Sequence, residues 1–376
     1  MRKLNLNLVA ILCLLLVFTP AFAQKKSKNG SRNRDSVMNI MCRVADWQIK
    51  DWTTKGFKKP KYNWTYGAAY TGIFELGKVS GDKKYFDFLV GIGNDLNWNT
   101  GTRRFFADDY CVAQTYSNLY MLYKEPKMIA PFKALADSII ARPHTESLSL
   151  KNRGIMDREW AWCDALFMGP TSLSFLATAT GEQKYLDIAN KLWWKTTDFL
   201  YDRDEHLYFR DESYFEKREK NGKKMFWSRG NGWVMGGLVR VLSNMPKDYP
   251  DRPKYIKLYK DMAAKLASIQ QPDGSWHSSL LDPENYPAKE TSGTGFYTYA
   301  ILWGMNNGIL KDKKYRPVIE RSWKALTTSV HPNGMLGYVQ PVGAAPDRVD
   351  ANSTETYGPG AFLLAGSQLY LYLGKK

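Results

Sequence analysis

Residues 157–180, DREWAWCDALFMGPTSLSFLATAT, combine carboxylate, indole and apolar side chains in one stretch. The apolar residues recur every three or four positions, which predicts a helix with a wide buried face. On such a helix Asp157, Trp160 and Asp164 share one face, so a carboxylate would stand beside an indole. Apolar surroundings raise the pKa of a carboxyl group, and an Asp that keeps its proton near neutral pH can act as a general acid and then as a base. A buried structural Asp, satisfied by a neighbouring helix, is the alternative interpretation.

The first 23 residues have the order of a cleaved secretory signal. Arg2 and Lys3 precede an apolar run, and a small-residue site precedes Gln24. We therefore expect a periplasmic protein with a disordered basic leader at residues 24–35 and one catalytic domain at residues 36–376. Three cysteines remain beyond the signal, and this odd number argues against a disulfide framework. They are Cys42, Cys111 and Cys163.

The chain is strongly basic, with a formal net charge of +16 at pH 7. A basic surface can attract nucleic acid, membranes or acidic polysaccharide, and export favours the last of these. We expect an acidic oligosaccharide as the partner, no nucleic acid, no membrane association after signal cleavage, and a monomer. The four histidines have no metal-ligand spacing, and no phosphate-binding glycine loop is present, so no metal and no cofactor are expected.

Two kinds of helix alternate along the chain. Amphipathic helices, often opened by a Lys-Tyr pair after a short polar turn, are predicted at residues 36–52, 83–97, 128–141, 184–200, 253–270 and 314–329. Helices rich in Gly, Ala and aromatic residues are predicted at 64–77, 109–123, 160–179, 231–244, 293–308 and 357–373. Helices that are apolar all round belong inside, and helices with one polar face belong outside. The pattern predicts an all-α fold, an (α/α)6 toroid of six inner and six outer helices; an open helical solenoid is the alternative.

In such a ring the inner helices run parallel, so their N-terminal ends gather at one mouth that favours an anion. Residues suited to sugar binding stand at or before these helix starts. Aromatic rings stack on sugar faces, and carboxylates supply acid and base catalysis. A guanidinium can bind a uronate carboxylate through two parallel hydrogen bonds. N-caps and core packing would explain many of these residues singly. The candidates are Trp64, Tyr66, Asp108, Asp109, Trp162, Asp164, Trp227, Arg229 and Trp233.

Three segments together resemble glycoside hydrolase family 105, the unsaturated rhamnogalacturonyl hydrolases, and the related family 88 unsaturated glucuronyl hydrolases. They are WCDALFMG at 162–169, WSRGNGW at 227–233 and GTGFYTYA at 293–300. The resemblance implies an (α/α)6 enzyme that removes a 4,5-unsaturated uronic acid from the non-reducing end of an acidic, lyase-generated oligosaccharide. No covalent glycosyl intermediate is required, because the enol ether is hydrated by acid/base catalysis.

The resemblance also implies roles for particular residues. The acid/base aspartate of the family falls on Asp164, and a second aspartate matches Asp109, with Asp108 left open by the spacing. The pocket aromatics fall on Trp162, Trp227 and Trp233, and the arginine on Arg229.

One segment departs from the family pattern: where relatives often carry His, the present chain has Arg210, which could hold the uronate or another anionic group. Two other functions remain open. One is a non-catalytic glycan-binding toroid, and the other is a glycosidase or epimerase acting on saturated sugars.

Overall fold

Twelve α-helices lie within residues 28–151 and 158–375, the part of the chain that the computed structural model describes. The inner helices are Trp64–Ser80 (α2), Ala113–Tyr123 (α4), Ala165–Thr180 (α6), Ser228–Asn244 (α8), Thr291–Asn306 (α10) and Tyr357–Gly374 (α12). The outer helices are Lys28–Lys55 (α1), Lys83–Asp95 (α3), Ala130–Ala141 (α5), Lys184–Leu200 (α7), Arg252–Ser268 (α9) and Asp312–Thr327 (α11). The two kinds alternate along the chain, as the sequence predicts.

The inner helices form a closed ring. Each packs against the next inner helix in chain order, and α12 returns to pack against α2. The ring therefore has no free end, which confirms the predicted (α/α)6 toroid and excludes the open solenoid. The N-terminal ends of the inner helices meet at one mouth: the Thr356 hydroxyl donates to the Thr65 carbonyl at 2.7 Å, and the Tyr297 hydroxyl donates to the Ser228 carbonyl at 2.6 Å.

Close approach of the inner helices requires residues without side chains. A Cβ atom on Gly360 of α12 would lie 2.5 Å from the Ala68 carbonyl oxygen and 2.8 Å from the Ala69 Cα atom of α2. Both atoms belong to the backbone, so neither can move aside as a flexible side chain would. The contact that closes the ring thus depends on glycine at this position.

Short strands and 3₁₀ turns shape the loops. Tyr201–Asp202 (β1) pairs antiparallel with Leu207–Tyr208 (β2), and Trp276–His277 (β3) pairs antiparallel with Lys289–Glu290 (β4). No sheet among the described residues has more than two strands. The 3₁₀ turns are Ala107–Tyr110, Pro126–Met128, Glu212–Tyr214 and Pro283–Asn285. Within the described ranges, no helix is long and apolar enough to cross a bilayer.

Several predicted boundaries were displaced, two of them by five residues or more. The first helix begins at Lys28, inside the segment predicted to be a disordered leader, rather than at residue 36. The third inner helix begins at Ala165 rather than at residue 160, so Asp164 stands at its N-terminus and not within it. Asp157, residues 1–23 and the first residues of the predicted leader lie outside the described residues.

Replacing Gly360 with Ala should destabilise the ring, because the new methyl group meets backbone atoms of α2. Overpacking of this kind typically costs about 1–3 kcal/mol. Urea denaturation measures the loss directly. Gly91→Ala is the matched control: Gly91 lies in the outer helix α3 with no atom within 4 Å of the place that a methyl group would take, and Ala there should stabilise the helix by roughly 0.5–1 kcal/mol. Equal effects of the two substitutions would contradict the packing account.

Candidate active site

Asp164 occupies the N-cap position of α6 at the mouth of the ring. Its side chain makes no capping hydrogen bond, so the carboxylate is available to the mouth. The side chain is 14% exposed, and one oxygen, Oδ2, lies 3.7 Å from the Nε atom of Arg210. The thiol of Cys163 donates a weak bond of 3.6 Å to the same oxygen. Burial raises the pKa of Asp164, and the positive charges of Arg210 and Arg229 oppose that rise.

The residues before Asp164 form an irregular segment of turns rather than the predicted helix. Trp160 has a left-handed backbone with φ of 59°, so Trp160 and Asp164 do not share a helical face. The Trp160 indole donates to the Phe105 carbonyl at 3.0 Å, and the Trp160 carbonyl accepts from the Thr196 hydroxyl at 2.8 Å. These tertiary contacts outweigh the helical periodicity of the sequence, and they hold the chain that leads into Asp164.

A buried carboxylate anchors the same segment from behind. Glu159 is fully buried and pairs with Arg142 at 2.8 Å and with Lys195. A buried acid is stable only when it is paired in this way. Glu159 therefore fixes the backbone five residues before Asp164, although the sequence pattern gave no signal for it.

Two adjacent aspartates of the Ala107–Tyr110 turn have different environments. Asp109 is buried, and its carboxylate is held by Arg103: the guanidinium Nη2 lies 2.6 Å from Oδ1, and the backbone N–H donates to Oδ2 at 2.8 Å. Asp108 is half-buried, and burial together with the negative charge of Asp164 raises its pKa to about 8, against the opposing charges of Arg103 and Arg210. The charge of Asp164 therefore affects the pKa of Asp108, whereas Asp109 stabilises the loop through its ion pair with Arg103.

Arg210 is the guanidinium that faces Asp164. Arg210 follows β2, and α8 holds this strand in place. The Asn231 side chain of α8 accepts from the Tyr208 N–H at 2.7 Å and donates to the Tyr208 carbonyl at 3.0 Å. The Nη1 atom of Arg210 donates to Asp211 at 2.6 Å. Its Nε atom is buried and has no hydrogen-bond partner among the described residues. This nitrogen is thus available to a bound anion or to Asp164.

Arg229 has a different environment from Arg210. It is fully buried, and its two terminal nitrogens donate to the carbonyls of Gln340 at 2.7 Å and Pro341 at 2.9 Å. The guanidinium lies over the Trp227 ring, with 4.4 Å to the centroid. Arg229 therefore stabilises the loop before α12, and both of its terminal nitrogens are already hydrogen-bonded to backbone carbonyls.

Gln340 joins the elements around the mouth. Its side chain accepts from the Trp227 indole at 2.8 Å and donates to the Ala345 carbonyl at 2.7 Å, while its N–H donates to Glu290 at 3.2 Å. The Tyr357 hydroxyl donates to its carbonyl. No motif in the sequence distinguished Gln340, because its partners come from three distant segments.

The predicted aromatic residues divide into core and mouth. Trp233 is fully buried among rings that include Phe167 and Phe296, with centroid separations of 5.0 Å and 4.5 Å. Tyr66 is also buried, and its hydroxyl accepts from the Lys59 N–H at 3.2 Å.

Trp162 is buried as well and stacks on the half-buried Phe106 at 5.2 Å. Trp64 is half-buried and stacks on Tyr357 at 5.4 Å. Of the predicted tryptophans, Trp64 therefore retains the most accessible ring face at this end of the toroid.

The described residues contain no group of three His, Cys, Asp or Glu side chains that could hold a metal ion. The mouth brings together two interacting carboxyl groups, one of them with a pKa of about 8, beside a guanidinium. A closed helical toroid with acid and base groups at its mouth has the features of a carbohydrate-active enzyme.

The sequence model of Glycosyl Hydrolase Family 88 matches residues 40–373, and the chain belongs to this family of glycoside hydrolases. An unsaturated 3S-rhamnoglycuronyl hydrolase of Formosa agariphila is 37% identical over 96% of this chain and 97% of its own length. A relative of the same name from an Alteromonas species is 33% identical over 88% of this chain and 84% of its own.

Solved structures agree with the fold. A family 88 glycosyl hydrolase from Bacteroides vulgatus superposes with a TM-score of 0.80 at 32% identity, over 90% of this chain and 99% of that one. A structure described as a polysaccharide lyase superposes with a TM-score of 0.83 at 31% identity, over 92% and 99%. A possible family 105 member from Salmonella enterica shares the fold, with a TM-score of 0.74 at 18% identity.

The environments of the two adjacent aspartates predict opposite effects of the same substitution. Asp109→Asn should lower the free energy of unfolding by about 1–3 kcal/mol, because Arg103 loses a charged acceptor. Asp108→Asn, its matched control, removes a charge that burial and Asp164 already disfavour, and it should leave stability unchanged or raise it. Urea denaturation at neutral pH compares the two proteins. A larger loss for Asp108→Asn than for Asp109→Asn would reverse the assignment.

Proposed function

We propose that the protein hydrates a terminal 4,5-unsaturated uronic acid and thereby releases it from a lyase-generated oligosaccharide. The observation that carries this proposal is the raised pKa of Asp164 and Asp108 beside Arg210 at the mouth. Membership of family 88 and the names of the two curated relatives support it. Asp164 is the catalytic acid and base, and Asp108, rather than the Asp109 favoured by the sequence, is the second carboxyl group.

The first step is the delivery of a proton. The substrate contains an enol ether between C4 and C5, and protonated Asp164 gives its proton to C4 while positive charge develops at C5. Burial disfavours the carboxylate of Asp164 and raises its pKa above the ordinary aspartate value, which favours the protonated form that this step needs. A raised pKa suits a carboxyl group to act as a general acid.

The second step is the addition of water. The carboxylate of Asp164, formed in the first step, takes a proton from a water molecule while the water oxygen bonds to C5. The product is a hemiketal at C5, and Asp164 is protonated again. The hemiketal opens to a C5 ketone, the former ring oxygen becomes a hydroxyl on C1, and C1 then releases the leaving sugar as it becomes an aldehyde.

Arg210 and Asp108 complete the proposed site. Arg210 binds the uronate carboxylate through its buried Nε atom, which has no hydrogen-bond partner among the described residues and lies 3.7 Å from Asp164. This contact places C4 and C5 of the sugar beside Asp164. Asp108 keeps the proton on the carboxyl pair, because two carboxylates in one buried site cannot both ionise easily. Trp64 supplies an aromatic face for a sugar ring.

The names of relatives and the sequence support a proposal for the substrate and the place of action. Two curated relatives are named for an unsaturated 3S-rhamnoglycuronyl substrate, and we extend that class to this chain. The signal-like residues 1–23 support export to the periplasm, where such oligosaccharides would be met.

An ultraviolet assay separates hydrolase from lyase and from a simple glycan-binding protein. The unsaturated sugar absorbs in the ultraviolet, so hydration of an unsaturated oligosaccharide should erase the absorbance. A lyase acting on the intact polysaccharide would increase it, and a binding protein would leave it unchanged. A rise with polysaccharide and no fall with oligosaccharide would overturn the proposal.

Asp164→Asn should reduce turnover by about 10²–10⁴-fold, because an amide can neither give the proton nor accept one from water. Binding of the unsaturated oligosaccharide should persist. The assay is the rate of absorbance loss, with calorimetry for binding. Asp198→Asn, on the exposed surface of α7, is the matched control and should keep the wild-type rate. Normal turnover by folded Asp164→Asn protein would remove this residue from the mechanism.

The activity should fall as the pH rises through about 8, because the carboxyl pair then loses its last proton. Asp108→Asn removes a negative charge that favours protonation of Asp164, so the alkaline limb of the pH–rate profile should move to lower pH. The profile of kcat/KM measures the shift. An alkaline limb at the same pH in both proteins would show that Asp108 does not control the proton.

Arg210→Lys should raise KM more than it lowers kcat, because an ammonium group cannot reproduce the directed bonds of a guanidinium. Arg229→Lys should mainly lower the stability of the protein, because the Arg229 guanidinium donates hydrogen bonds to two backbone carbonyls. Steady-state kinetics and urea denaturation of both variants test this division. A higher KM only in Arg229→Lys would identify Arg229 as the uronate ligand instead.

A further inference from the structure

A cavity lies at the end of the ring opposite the mouth. It has a volume of about 250 Å³ and is lined by side chains from all six inner helices, taken from the middle or the C-terminal half of each. Arg240 of α8 and Asn118 of α4 are its buried polar residues. The proposed mechanism uses none of these side chains.

Arg240 is a buried cation without an acidic partner. It is 2% exposed, and no ion pair joins it to an Asp or Glu among the described residues. Its Nε atom donates to the Gln114 side chain at 2.6 Å, and its Nη2 atom is buried without a hydrogen-bond partner in that part of the chain. Glu75 lines the same cavity, but it pairs with Lys78 at 3.1 Å. The Arg240 guanidinium lies over the Phe175 ring, with 4.5 Å to the centroid, but no carboxylate among the described residues pairs with it, so the cavity favours an anion.

Other side chains of the cavity define the ligand further. The Nδ2 atom of Asn118 is a second buried donor with no partner among the described residues, and Asn118 is 6% exposed. Both unpartnered groups are donors, so the ligand must present acceptors. Tyr299 and Trp303 add aromatic rings to the wall, a surface suited to a sugar face.

We propose that this cavity binds a small organic carboxylate of the uronic acid class, with its carboxylate on Arg240 and Asn118. The volume accommodates one monosaccharide. The site is separate from the mouth, so it goes beyond the hydrolysis proposed above and does not depend on it. The competing explanation is that the negative C-terminal ends of the inner helices alone balance Arg240.

Thermal melting with glucuronate tests the proposal in a full-length Arg210→Met protein, in which the anion site at the mouth is disabled. Its melting temperature should rise with glucuronate concentration, because a ligand that binds only the folded state stabilises it. Glucose, which lacks the carboxylate, should have no effect. Adding Arg240→Met should weaken the response by roughly 10- to 100-fold in apparent affinity.

Asn118→Leu in the same background is the second variant, and it keeps the test decisive if Arg240→Met does not fold. It should also weaken the response to glucuronate. An undiminished response in the folded cavity variants would overturn the proposal. So would the absence of any response in the Arg210→Met parent, which would leave the helix ends as the counter-charge of Arg240.

Discussion

The electrostatic coupling of Asp108 and Asp164, beside the guanidinium of Arg210, is the interaction on which the proposed site depends. Burial disfavours both carboxylates, and burial together with the negative charge of Asp164 raises the pKa of Asp108 to about 8. The positive charge of Arg210 limits the rise of both pKa values. Arg210 makes no close hydrogen bond to Asp164, because its Nε atom lies 3.7 Å from the carboxylate. The pair can therefore hold one proton near neutral pH, as enol ether hydration requires.

The toroid holds Asp164, Asp108 and Arg210, which come from three distant segments of the chain, at fixed distances from one another. Asp164 begins α6, Asp108 lies in a turn held by Asp109 and Arg103, and Arg210 follows a strand held by Asn231. Below them, Arg229 and Gln340 tie the loop before α12 to the start of α8. The buried polar residues near the mouth thus position the proposed catalytic groups, while the closed ring keeps the helix ends together.

Helix type and order could be predicted from the sequence because periodicity and burial determine them. Alternation of apolar and amphipathic helices was enough for the closed ring. Trp160 could not be predicted in this way, since its left-handed backbone depends on contacts with Phe105 and Thr196. Neighbouring Asp108 and Asp109 have the same side chain, but Asp109 is held by Arg103 whereas Asp108 is exposed to the charge of Asp164.

The same limit applies to Arg210, Arg229 and Arg240. A sequence reveals a guanidinium but not its partner. Here Arg210 faces a carboxylate, Arg229 donates to backbone carbonyls, and Arg240 is buried without an acidic partner among the described residues.

A carbon-13 NMR titration of labelled aspartate side chains measures the shared proton most directly. Spectra of the wild type, Asp108→Asn and Asp164→Asn assign the two carboxyl signals. The account predicts that in the wild type the pair keeps one proton until about pH 8. Ionisation of both groups near the ordinary aspartate value of about 3.9 would contradict it.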